Sequence, residues 1–242
     1  MTAIILGLVA AVLAITLHEA AHGYAALAMG DDTARRAGRL SLNPLAHVDR
    51  VGTVLLPGGL ILFQLLTLGR VAFLFGWAKP VPVAAWKFRN PRQGMMVVAA
   101  AGPAMNFVLA WLALLTLHVV PSIDATVGSL LMDFSGYFIL TNLVLGLFNL
   151  LPIPPLDGGR IAVGLLPERP AKALAGLERA GILIVLLLVF LGPALARDVL
   201  HVQFDPINWL LWNAGRPLLR VLLALAGEPD VGVNLFEDLF SE

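Results

Sequence analysis

The sequence predicts an all-α polytopic membrane protein with about five to six transmembrane helices, and three observations predict it. Of 242 residues, 59% are hydrophobic and 13% charged, with a mean hydropathy of +0.86. That leaves too little polar residue to cover a water-soluble globule. Residues 93–123, 134–156 and 180–196 carry no charged side chain, and residues 2–29 carry only Glu19. Such runs match the roughly 20 apolar residues a crossing helix needs, the third only with its polar flanks. Thirteen of the sixteen basic residues fall into three connections: Arg35, Arg36, Arg39 and Arg50; Arg70, Lys79, Lys87, Arg89 and Arg92; Arg160, Arg169, Lys172 and Arg179. Clustering of this kind marks the cytoplasmic side.

The first span, through residue 29, resembles a secretion signal only in its apolar block. It has no basic leader, and it runs unbroken into His18-Glu19-Ala20-Ala21-His22, so it reads as a retained helix. Residues 36–42 alternate weakly, which suggests a short β-hairpin near residues 33–45. Residues 51–75 lie between two basic connections and must return to the side they left. Pro57-Gly58-Gly59 interrupts them, and a re-entrant or hairpin segment satisfies both facts, provided other helices cover its irregular backbone. Two abbreviated crossings, or one ordinary crossing with a different charge assignment, remain open. Residues 93–119 then go outward, 134–151 return, and 176–196 and 206–226 form a last pair. The connection 119–133 has Asp124 and Asp133 but no base, as expected of the outer side. Residues 1–227 read as one membrane-embedded domain, followed by an acidic tail over 228–242.

Residues four apart share a helical face, so His18 and His22 can present ring nitrogens to one zinc ion while Glu19 takes a proton from water at the metal. A charged group inside an apolar helix is costly, which favours a functional reading over a pair of stray core histidines. With no cysteine in the chain, any metal must be held by nitrogen and oxygen. A catalytic zinc generally has three protein ligands. Asp157 is the expected third. It ends a segment with three prolines, Pro152, Pro154 and Pro155, and precedes Gly158-Gly159, a helix stop in which backbone can approach closely. Irregular backbone at membrane depth belongs beside a water-filled cavity, which hydrolysis also requires. Asp49 is the next candidate for that ligand. Asn106 and Asn149 each place an amide in an apolar helix, where it needs partners. His47 reads as a loop residue, and His118 and His201 as interfacial ones. No basic run interleaved with aromatics suggests nucleic acid.

Together, His18-Glu19-x-x-His22, Gly102-Pro103-Ala104-Met105-Asn106 and Asn149-x-x-Pro152 through Leu156-Asp157-Gly158 resemble the site-2 protease family, the intramembrane zinc metalloproteases. The loop with Asn43-Pro44-Leu45-Ala46-His47 and the segment Gly76-Trp77-Ala78-Lys79-Pro80 are similar to its compact bacterial branch without a PDZ domain. The resemblance implies one Zn2+ per chain on His18, His22 and Asp157, with Glu19 as catalytic base. Asn149, with Asn106 beside it, would contact substrate or the developing oxyanion. It further implies a transmembrane protein or peptide as substrate, regulated intramembrane proteolysis, and a bacterial cytoplasmic membrane with the active site near the cytoplasmic face. A metal or solute transporter, or a non-cleaving relative that binds membrane proteins, is the rival reading. A transporter would show repeat-related midplane sites, and no repeat is visible.

Overall fold

The computed structural model describes residues 2–70, 76–199, 201, 205–229 and 233. Helix α1 spans Thr2–Ala28 and ends where Gly30 takes a left-handed φ of 96°. The Asp31 N–H then reaches back to the Ala26 carbonyl at 2.9 Å, closing the last turn. A short α2, Thr33–Arg36, follows. No strand occurs among the described residues, so the hairpin expected near residues 33–45 is corrected. That stretch is α2, an extended passage and a single 3-10 turn at Pro44–His47. The weak alternation had no partner strand to pair with.

A π-helical turn, Arg50–Leu55, continues into α3, Leu56–Leu68. The expected break at Pro57-Gly58-Gly59 is thus absent. Pro57 sits where the π-helical turn passes into α3, a junction at which the regular hydrogen-bond ladder is already interrupted, and the Gly52 carbonyl five residues before it takes the Trp77 N–H at 3.1 Å. Asp49 starts the turn by accepting the Val51 and Gly52 N–H groups. Residues 50–67 are long and apolar enough to cross a membrane as one helix. Residues 71–75, the remainder of the proposed re-entrant segment, lie outside the described residues.

Helix α4, Pro91–Thr116, begins at an Asn90 cap with Pro91 in the first turn. Helix α5, Ala125–Asn149, is capped by Asp124, which accepts from Thr126 and Val127. Among the described residues four helices, α1, residues 50–67, α4 with its 3-10 extension to Ser122, and α5, have the length and composition to cross a bilayer. The chain is an integral membrane protein. Beyond α5 come α6, Asp157–Leu165, and α7, Glu168–Gly176. Helices α8, Glu178–Leu186, and α9, Gly192–Asp198, are joined by a π-helical stretch. A further π-helical stretch joins α10, Pro206–Leu210, to α11, Arg216–Leu225. The acidic tail, beyond residue 229 and apart from residue 233, lies outside the described residues.

The core forms where α1, α4, α5 and α11 meet. Ala10, Ala14, Ala110 and Ala113 let the helices approach, and Leu114, Leu117, Ile139, Leu143 and Leu219 fill the space between them. Small residues at such contacts do in lipid what apolar burial does in water. Outward, Ile4, Leu8, Leu62 and Leu66 are exposed, as side chains solvated by lipid should be.

A polar latch fixes the end of α1. Fully buried Asp31 accepts the Ala84 N–H at 2.6 Å and the Thr33 N–H at 3.0 Å, with Lys87 Nζ 3.2 Å away. Burial pushes its carboxyl up, but the hydrogen bonds from Thr33 and Ala84 and the Lys87 ammonium outweigh it and hold it at about 2. The folded-state value lies below the ordinary 3.8. The latch is therefore complete above about pH 4 and lost as pH falls through 2. Asp31→Asn is expected to cost about 1–3 kcal/mol and to flatten the stability profile in that window, as read by thermal unfolding in detergent at stepped pH.

Candidate metal centre

Helix α1 carries His18 and His22 one turn apart, and α6 opens with Asp157. The three ligand atoms converge. His18 Nε2 lies 3.1 Å from His22 Nε2, and Asp157 Oδ2 lies 3.2 Å from the first and 3.3 Å from the second. A tetrahedral zinc with bonds of about 2.0–2.1 Å spaces its ligand atoms about 3.3–3.4 Å apart. The observed triangle matches one face of that tetrahedron within a few tenths of an ångström. Asp157 Oδ2 is buried and has no hydrogen-bond donor in good geometry, which is what a carboxylate oxygen aimed at a cation requires. The residues present fit the ion. Among the described residues, this is the group of histidines and acids that could hold a metal.

Both rings are oriented from behind. His22 Nδ1 lies 2.7 Å from the Val98 carbonyl and His18 Nδ1 lies 2.5 Å from Asn106 Oδ1. Both acceptors belong to α4, so each ring donates from Nδ1 and leaves Nε2 bare for the metal. Asn106 is therefore corrected from its expected place at the oxyanion. Its amide is fully buried and joined to His18 and Asn142, which makes it a support for a ligand.

Asp157 is placed by close backbone passage. A Cβ on Gly158 would strike the Leu150 and Leu151 backbone, and one on Gly159 would strike Ile153 and Pro154. The segment 150–159 folds on itself and aims the first residue of α6 at α1. Gly102 does the same for α4: a Cβ there would lie 2.5 Å from His22 Cε1 and Nε2 and 2.6 Å from His18 Cε1. Gly102→Ala is expected to push both rings off the metal and to lower zinc affinity by more than about tenfold, with the helical circular dichroism unchanged. Chelator competition measures it.

Beside the triangle, Glu19 Oε2 accepts the Val81 N–H at 3.2 Å. Glu19 and His18 line a cavity of about 650 Å³ walled by Val12, Thr53, Trp77 and Leu145. Asn149 also lines it, with one amide hydrogen given to the Leu145 carbonyl at 3.0 Å. Asp49, the other third-ligand candidate, is occupied in capping the turn at Val51 and Gly52. His47 is buried, unlike an ordinary loop histidine, and its Nε2 donates to the Ser41 carbonyl at 2.8 Å. His118 Nε2 donates to the Ala226 carbonyl at 2.7 Å. Asn142 was not singled out from the sequence. The signal was there, an amide in an apolar helix, as for Asn106 and Asn149.

By sequence, the chain is similar to known zinc metalloproteases. The model of peptidase family M50 matches residues 118–191, which include Asn149 and Asp157. The chain is 37% identical over 222 residues to YwhC of Bacillus subtilis (strain 168), named as a candidate zinc metalloprotease, covering 90% of each chain. It is 34% identical over 215 residues to Rip2 of Mycolicibacterium smegmatis, named likewise, covering 86% of this chain and 77% of that one. A 90-residue stretch, 37% of this chain and 25% of the relative, is 33% identical to the zinc metalloprotease MJ0392 of Methanocaldococcus jannaschii. No solved structure gives a significant match.

Proposed function

Because this chain belongs to peptidase family M50, zinc metallopeptidases of the site-2 protease type, we propose that it hydrolyses a peptide bond in or near a transmembrane segment of a membrane-anchored substrate, as in regulated intramembrane proteolysis. The observation that carries the reading is the meeting of His18, His22 and Asp157 inside an apolar helix bundle, beside a cavity that Glu19 lines. His18, His22 and Asp157 would hold the ion. Zinc, when bound, supplies Lewis acidity toward a carbonyl oxygen and acidifies water.

The chain's own groups do the rest. Glu19 Oε1 or Oε2 accepts a proton from the attacking water and later delivers it to the amide nitrogen, which leaves as an amine. The Val81 N–H holds Glu19 in place for both transfers. Asn149 faces the same cavity and would donate its remaining amide hydrogen to the carbonyl oxygen as negative charge develops there.

A helical substrate hides its carbonyls in its own hydrogen bonds, so the segment to be cut must be extended, which favours helix breakers near the scissile bond. The stretch 77–81 suits an extended partner. Its N–H groups at Trp77, Lys79 and Val81 are given to the Gly52 and His47 carbonyls and to Glu19. The Trp77 and Lys79 carbonyls accept from Thr53 and Arg39. Between them, Ala78 lines the cavity. A substrate strand would pair at Ala78, while Pro80, which has no N–H, could offer only its carbonyl.

The basic connections meet at one end of the bundle. Lys87 contacts Asp31 and Asp32, Arg92 donates to the Val163 carbonyl, and Arg160 pairs with Glu178. This supports a cytoplasmic end close to the metal centre. The test is incubation of purified protein in liposomes with a panel of transmembrane segments, with and without a chelator, followed by mass spectrometry. Metal-dependent cuts within the apolar segments are expected. Cleavage confined to soluble peptides, or zinc flux into the liposomes without any cleavage, would overturn the reading.

A further inference from the structure

Two fully buried asparagines form a polar chain behind the metal centre. Asn142 Nδ2 lies 2.8 Å from the Phe138 carbonyl, Asn142 Oδ1 lies 2.8 Å from Asn106 Nδ2, and Asn106 Oδ1 lies 2.5 Å from His18 Nδ1. Both asparagines are 0% exposed. The far end of the chain is a backbone carbonyl, which can only accept. Asn142 must therefore turn its NH2 toward Phe138 and its oxygen toward Asn106. Asn106 must in turn give its NH2 to Asn142 and its oxygen to His18, so His18 must carry its proton on Nδ1.

We propose that Asn142 is a positioning residue that fixes the Nδ1–H tautomer of His18 through Asn106, keeping Nε2 free as a metal donor. The inference rests on His18 being a zinc ligand. Without an acceptor at position 142, the Asn106 amide gains nothing from its present orientation. Rotated by half a turn, it would offer NH2 to His18 Nδ1, and the imidazole proton would move to Nε2, the atom that faces His22 and Asp157. Each binding event would then have to reverse that exchange.

Asn142→Leu keeps the size of the side chain and removes the acceptor. Asn142→Asp keeps an acceptor toward Asn106 in either protonation state. The full-length protein in detergent, 15N-labelled at histidine and stripped of metal, reports the tautomer by its ring-nitrogen shifts above the titration range of imidazole. The His18 signals are identified by their loss in His18→Asn. Zinc affinity is measured separately by competition with a chromophoric chelator. The wild type is expected to be Nδ1-protonated at His18. Asn142→Leu should populate Nε2–H and weaken zinc about tenfold or more, within the range for residues behind a metal ligand. Asn142→Asp should stay within about threefold of the wild type, the difference a preserved acceptor allows.

A residue that only packs would show the opposite order, because leucine is the better filler of an apolar core. An unchanged tautomer in Asn142→Leu, with or without weaker zinc binding, overturns the proposal. Absence of zinc binding in the wild type would instead overturn the metal site, while the tautomer of the metal-free protein would still decide the role of Asn142.

Discussion

Glu19→Gln is expected to bind zinc as the wild type does and to lose hydrolysis by roughly 10²–10⁴-fold, the usual worth of a general acid–base group. The reason is positional. Glu19 stands between two ligands in sequence but contributes no atom to the triangle of His18, His22 and Asp157; its Oε2 is instead held by the Val81 N–H at the cavity wall. Glutamine keeps the shape and can still sit against that wall, but it cannot accept a proton at neutral pH. Zinc stoichiometry by elemental analysis, beside turnover of a transmembrane substrate in liposomes, separates the two properties. Equal turnover in the variant would remove Glu19 from the chemistry.

Asp157→Ala should do the reverse and remove the metal first. It deletes the donor that closes the triangle, leaving two rings 3.1 Å apart with no anionic partner. The expected fall in zinc affinity exceeds about 100-fold, the upper range for disturbing a group behind a ligand, and hydrolysis falls with it. Gel filtration followed by zinc analysis is the measurement. Stoichiometric zinc surviving in the purified variant would assign the third ligand elsewhere.

What the sequence made legible follows from how local each signal is. His18, Glu19 and His22 lie within five consecutive residues of one helix, so 3.6-residue periodicity alone brings both rings to one face. Asp157 was legible because prolines and glycines mark a helix stop at the depth of the site. The supporting roles of Gly102, Val98 and Asn142 depend on which helix packs against α1, and no periodicity within one helix encodes that. Asn106 misled for the same reason: its amide in an apolar run announced a need for partners but did not say whether they were substrate or protein. At residues 50–68 the break expected at Pro57-Gly58-Gly59 is absent, because Pro57 falls at the junction of a π-helical turn with α3, where the regular hydrogen-bond ladder is already interrupted.

The split origin of the donors has a consequence for biosynthesis. Two come from α1, and the third follows in translation only after α5 and the turn behind it have emerged. A nascent chain halted anywhere before Asp157 holds an incomplete cage, so proteolytic competence arrives late in translation, when most of the surrounding bundle already exists to confine it.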